Sequence, residues 1–245
     1  MRKISLGIMA LGLVCLMLGL TAVNAGEKIV LRCADVHSYG YPTVEGVLYM
    51  SRLVKEQTDG RIEIIVYPES KLGSEASVVA MVRTGVLEMG RISVTQVAEV
   101  APEFGVFVLP YLFKNNVHKW KVLDGAIGTR LLSGLERVGL VGLCFQEAGY
   151  RSFYNSKHPI YRPEDLKGLR IRVQPNDIMV KLIDFLGAYP VPINYEEIDS
   201  ALAARIIDGA ENNIPSYYSA GHYQQASYYS FDRHSSIPEI LLMSQ

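Results

Sequence analysis

The sequence predicts an α/β protein built on open sheets with helices on both faces. Short strand-like runs alternate with helix-period stretches from Lys28 onward, the βαβα rhythm of a layered sheet. No internal repeat or low-complexity linker interrupts that rhythm. The 245 residues are 49% hydrophobic and 20% charged, enough for one large domain or two small ones.

Each element has its own signal. KIVLRCADVH, residues 28–37, reads as the first strand. Residues 42–60 read as a helix with Val47, Met50 and Val54 on one face and Gly60 as its stop. RIEIIVYP (61–68) is a strand, and Ser74 caps a helix running through Met81 and Val82 to Gly85. VLEMGRIS (86–93) is a strand. A helix from Ile127 to Arg137 leads into the strand GLVGLCFQE (139–147). RPEDLKG (162–168) turns into the strand LRIRV (169–173). Asn176 or Asp177 opens a helix that ends at Gly187. Asn194 with Glu197 resembles a capping box for the helix through Ile198 and Leu202. GAENN (209–213), a Tyr-rich helix and HSSIPEILLMS (234–244) complete the chain.

Composition narrows the function. A formal net charge of −1 gives no global field for nucleic acid or an acidic membrane, so any anion site must be local. Cys15, Cys33 and Cys144 form no CxxC or Cys/His pair, and the five histidines (37, 118, 158, 222, 234) lack ligand spacing, so no metal site is expected. Cys33 and Cys144 read as buried free thiols. Residues 1–25 read as a signal peptide: Arg2 and Lys3, an apolar stretch, then Val23 and Ala25 before the cut. The mature chain is expected to be exported and soluble. No GxGxxG, P-loop, HExxH or GxSxG occurs, and nothing offers a nucleophile with its base. A binder is expected rather than an enzyme, with no cofactor.

In open α/β sheets ligands sit outside the carboxyl ends of the strands. Polar residues fall at such positions: His37 in DVHSYGY after the first strand, Glu75 opening a helix, Arg91 and Ser93 ending a strand, Arg151 following a strand, and Asn212 after the Asp208-Gly209 turn. GLRIRVQPN (168–176) sets Arg170 and Arg172 on one strand face by alternation. The pattern alone does not separate a solvated edge from a pocket for an anion.

GYRSFYNSKHPIYRPEDLKGLRIRVQPN, IDGAENNIPSYY and MGRISVTQ resemble the extracytoplasmic solute receptors of tripartite ATP-independent periplasmic (TRAP) transporters, the family-7 solute-binding proteins. YPESKLGSE, LPYLF and SIPEILLMS fit the same family, and the resemblance spans residues 28–245. It implies a two-lobed periplasmic-binding-protein type II fold with a cleft between lobes: lobe one from 26–148 with 238–245 returning to it, and lobe two from 149–237. It implies a periplasmic receptor that hands a carboxylate solute to small and large membrane permease subunits in sodium-driven transport. The family's carboxylate-binding arginine falls on Arg172, its second site arginine on Arg151 and its site asparagine on Asn212, with Glu211 alongside. Glu75, Arg91 and His37 are expected on the lobe-one wall. A planar guanidinium fork suits a carboxylate bidentately.

The same motifs resemble the sugar-acid branch, particularly hexuronate receptors. Arg91 with Arg172 also suits two carboxylates, which leaves a C4-dicarboxylate or keto-acid receptor as an alternative. An exported enzyme acting on a sugar acid is the alternative of another class. The family continues beyond LLMS with further helices, so a C-terminal part is expected to be missing.

Overall fold

The computed structural model describes residues 27–245; the expected signal peptide lies outside the described residues. Two five-stranded sheets form the scaffold. The first begins with β1 (Ile29–Ala34), α1 (Pro42–Gln57), β2 (Ile62–Tyr67), α2 (Glu75–Arg83) and β3 (Met89–Ser93). α3 (Val94–Val97), α4 (Asn116–Leu123) and α5 (Ala126–Gly134) precede its edge strand β4 (Leu140–Gln146). The second contains β5 (Arg151–Asn155), β6 (Arg170–Val173), α6 (Asp177–Phe185), β7 (Tyr189–Pro192), α7 (Ile198–Ala203), β8 (Gly209–Asn213), α8 (Ile214–Ser219) and β9 (Tyr228–Tyr229). The chain then returns to the first sheet as β10 (Glu239–Ser244).

Both sheets follow one plan. The first has the order β2-β1-β3-β10-β4, the second β7-β6-β8-β5-β9. In each, three strands run parallel, and the strand arriving from the other sheet pairs antiparallel with the third of them. The crossing strands therefore stitch the two halves together.

Local chemistry explains the elements that frame the site. Ser74 caps α2 by accepting from the Ser77 N–H, and Asn176 caps α6 through the N–H groups of Ile178 and Met179. α2 buries Val78, Val79 and Val82 against β3. Gly90 permits that approach, since a Cβ there would lie 2.6 Å from a Val78 methyl. α6 buries Met179 and Ile183 in the same apolar cluster, which runs from Val82 and Ile92 through Phe104 and Phe107 to Phe153 and Ile171. The core is thus continuous between the halves. Burial of an aliphatic side chain of this size is worth roughly 1.5–3 kcal/mol.

Several local expectations differ from the fold. Arg151 opens a strand of its own, β5, rather than trailing the one before it. The helix expected to Arg137 ends at Gly134 and tightens into a 3-10 turn at 135–138 before Gly139, whose φ of 78° suits glycine. Cys33 is buried, but Cys144 is exposed because β4 is the sheet's edge strand and its centre faces outward. α3, α4, β7, β9 and the 3-10 segment Pro102–Val108 carried no signal clear enough to be expected.

Candidate binding cleft

The first sheet contributes a wall made mostly of acids. Arg91 lies at the centre of β3, is 0% exposed, and points its guanidinium under the segment that follows β1. There Asp35 accepts from Arg91 Nε at 2.7 Å and also pairs with Nη2. Nη1 lies 3.5 Å from Glu75 and 3.0 Å from Glu239. Glu75, the first residue of α2, also accepts the Ser93 N–H at 2.9 Å. Nη2 approaches His37 Nδ1 at 2.6 Å. An arginine only donates, so Nδ1 is the acceptor, and the Nε2–H points at Ser216 Oγ, 3.2 Å away across the cleft.

These contacts set the ionisation. Burial pushes Asp35 upward, but the charge and hydrogen bonds of Arg91 outweigh it and hold the carboxyl at about 2. Burial raises Glu75, and the Arg91 charge only partly offsets this. Burial disfavours the Arg91 cation, yet Asp35, Glu239 and Glu75 drive its pKa well above the ordinary arginine value.

The second sheet is built the other way. Arg151 at the start of β5 is buried and bound bidentately by Glu211 of β8, Nε to Oε2 at 2.5 Å and Nη2 to Oε1 at 2.7 Å. Its Nη1 donates to Asn212 Oδ1 at 2.7 Å, an oxygen that also accepts the Asn213 N–H. Burial pushes Glu211 up, while Arg151 and His234 bring it down to about 2.

Arg172 differs from both. It is 2% exposed, and its Nε donates to Ile193 O at 2.8 Å. Among the described residues its two Nη groups have no hydrogen-bond partner, and no carboxylate lies within ion-pair distance. Burial lowers its pKa from the usual value, reinforced by the neighbouring Arg151 and opposed by the Glu211 charge. Arginine nonetheless stays charged in proteins. An unpaired buried guanidinium is costly unless something supplies the counter-charge. Arg170, two residues earlier, is half-exposed and bound by Asp208 at the surface.

The walls meet around a narrow polar cavity. Val36, His37, Glu75, Ser93 and Glu239 line it from the first sheet and its crossing strand, and Arg151, Arg172, Gln174, Tyr195, Asn212 and Asn213 from the second. Contacts across the rim hold the cleft closed. Tyr41 OH engages Asn213 and Ser216, Thr95 Oγ1 donates to Gln174 Oε1 at 2.9 Å, and the His37 and Tyr195 rings lie 4.5 Å apart.

Of the residues expected at the site, His37, Glu75, Arg151, Arg172 and Asn212 line the cavity. Arg91 and Glu211 stand one layer behind, as counter-ions of wall residues rather than as the wall itself. Sequence reasoning missed Asp35, Gln174, Tyr195, Asn213 and Glu239. Asp35 and Gln174 directly follow strands and had a positional signal. Glu239 was hidden within an apolar run read only as a returning strand.

This arrangement defines an α/β binding protein of the two-lobed kind, whose cleft carries one buried arginine, Arg172, with no carboxylate partner among the described residues. The chain belongs to the bacterial extracellular solute-binding proteins of family 7, whose model matches residues 33–245. It is similar to a TRAP periplasmic solute-binding protein of Xanthobacter autotrophicus Py2 solved with bound β-D-galacturonate: 45% identity, TM-score 0.85, covering 87% of this chain and 72% of that one. A TRAP periplasmic solute-binding protein of a Bradyrhizobium species, in complex with galacturonate, is 42% identical with a TM-score of 0.85 over 87% of this chain and 71% of that one. A solute-binding protein of Chromohalobacter salexigens is 36% identical over 211 residues, 86% of this chain. The chain spans 63% of the length of that relative.

Proposed function

We propose that this protein is the periplasmic receptor of a TRAP-type secondary transporter. It captures a monocarboxylic sugar acid, a hexuronate first of all, and delivers it to the small and large membrane permease subunits. The observation that carries the reading is Arg172, a buried guanidinium facing the cleft with no protein counter-ion among the described residues. A ligand carboxylate supplies that charge through a bidentate pair. The polar remainder of the wall, with Glu75, Asn212, Tyr195 and Gln174, offers acceptors and donors for hydroxyls. A dicarboxylate needs a second cation, and the candidate for that role, Arg91, is already surrounded by Asp35, Glu75 and Glu239. Galacturonate in two similar receptors supports the same ligand class.

In this reading residues 26–148 with 238–245 form one lobe and 149–237 the other, and they close on the ligand about the crossing segments. The protein binds its solute without transforming it. A thermal-shift screen over hexuronates, aldonates, C4-dicarboxylates and keto acids tests this, since a ligand specific to the folded state raises the melting temperature by mass action. Stabilisation by hexuronates, with the sugar recovered unchanged, is expected. Stabilisation by succinate or malate but by no sugar acid contradicts the proposal, and turnover of the uronate points to an enzyme.

A further inference from the structure

Glu239 opens β10, where it pairs with Ser93 on one side and Gln146 on the other. It is more than nine-tenths buried and lines the cavity. Its Oε2 lies 3.0 Å from Arg91 Nη1 but is not aligned for a hydrogen bond, and it has no other polar partner. Arg91 meanwhile directs its Nε and Nη2 to Asp35 and His37. The first-sheet wall thus sets three carboxylates, Asp35, Glu75 and Glu239, against one guanidinium. Two of the three reach the cavity. The second-sheet wall sets Arg151 and Arg172 against Glu211 alone. The cleft is therefore polarised from an acidic end to a basic end.

We propose that Glu239, together with Glu75, is a specificity-determining residue that accepts hydroxyl donors at the acidic end and turns away a second carboxylate, so that the site selects monocarboxylic sugar acids against diacids of the same carbon chain. The proposal rests on the sugar-acid reading above and adds to it the residue that enforces one carboxylate only. An ionised carboxylate offers acceptors and no donor, which matches a sugar hydroxyl and mismatches another carboxylate. Like charges brought together at a desolvated contact supply the rejecting element that specificity requires. Oε2 is turned inward to Arg91, so the other oxygen, Oε1, which makes no hydrogen bond, is where the ligand hydroxyl belongs.

Galactonate and galactarate make the test, because they share a six-carbon chain and differ in one end, a hydroxymethyl group or a carboxylate. Calorimetry on the full chain is expected to show galactonate binding at least 30-fold more tightly than galactarate. Glu239→Gln keeps the shape and removes the charge. It is expected to shrink that ratio at least fivefold, chiefly by tightening galactarate. Glu75→Gln should act in the same direction, and it carries the test with the parent ratio if Glu239→Gln does not fold. A parent that binds the two acids within threefold of each other overturns the proposal and leaves the sugar-acid reading standing. So does a ratio unchanged in both variants. If neither galactonate nor galacturonate binds, both readings fall.

Discussion

In the first sheet β3 carries Arg91 at its centre, and the incoming strand β10 sets Glu239 opposite Ser93. In the second sheet β8 carries Glu211 at its centre, and the incoming strand β5 sets Arg151 opposite Asn213. The positions correspond through the shared strand order, and the charges are exchanged. Each sheet buries an arginine–carboxylate pair where its crossing strand docks. The first adds Asp35 and Glu75 to its pair, and the second adds Arg172. The difference separates architecture from function. A buried charge that meets its counter-ion within its own sheet helps hold the fold, and Arg172, which meets none among the described residues, is the one proposed for the ligand carboxylate.

Removing one member of a buried pair should have the largest effect. Glu211→Ala leaves Arg151 buried beside Arg172 without its bidentate partner, and losing one partner of a buried pair costs about 3–5 kcal/mol. Urea unfolding should show a loss of that order. A loss too small to resolve means that the Arg151–Glu211 pair does not hold the second sheet.

Arg172→Lys sharpens the contrast within one strand. Lysine keeps the charge and loses the planar fork, so hexuronate affinity should fall about 30-fold or more, in line with roughly 2–5 kcal/mol for a truncated buried charge contact. Arg170→Lys should leave affinity unchanged, because Arg170 is bound to Asp208 at the surface. Isothermal titration of the two variants side by side tests this. A larger loss for Arg170→Lys would mean that the anion site is not at Arg172.

Acid should weaken both sheets at once. Asp35 and Glu211 have folded pKa values of about 2, below their ordinary values of 3.8 and 4.5. A depressed carboxylate stabilises fully above its unfolded pKa, and that contribution is lost as pH falls through the folded value. Each contributes on the order of 2–3 kcal/mol at neutral pH, lost between about pH 4.5 and pH 2. Glu75 works against them, since burial raises its pKa and protonation relieves a cost. Chemical unfolding across this range should show stability falling with pH, with a shallower slope in Glu211→Gln. An unchanged slope would mean that Glu211 contributes nothing through its charge.

Much of this was legible in the sequence because it depends on period and punctuation. The strands, the cap residues Ser74 and Asn176, and the position of His37 just beyond its strand all follow from alternation, capping and turn chemistry, whereas Arg91, expected to end its strand, lies at the centre of β3. Arg170 and Arg172 could not be separated that way, since both satisfy the same alternation. Their difference comes from Asp208, which reaches Arg170 from 38 residues away, and no such partner reaches Arg172. The repeated strand order was equally hidden. It resides in pairing between distant segments, and MGRIS and GAENN share no residue pattern beyond a central charge of opposite sign. Glu239 was invisible for a related reason: only the return of β10 beside β3 brings it against Arg91.

If Arg172 is a buried cation kept for the ligand, the stability of Arg172→Met with and without galacturonate shows it most directly. Replacing a buried charge by an apolar side chain is often neutral or stabilising. The ligand-free variant should therefore melt no more than about 2 °C below the parent, or above it, within the shift of roughly 2–4 °C that 1 kcal/mol gives in a domain of this size. Saturating galacturonate should raise the parent's melting temperature and leave the variant's unchanged. A ligand-free variant that melts far below the parent, yet still gains stability from galacturonate, would show that Arg172 serves the fold and that the carboxylate binds elsewhere.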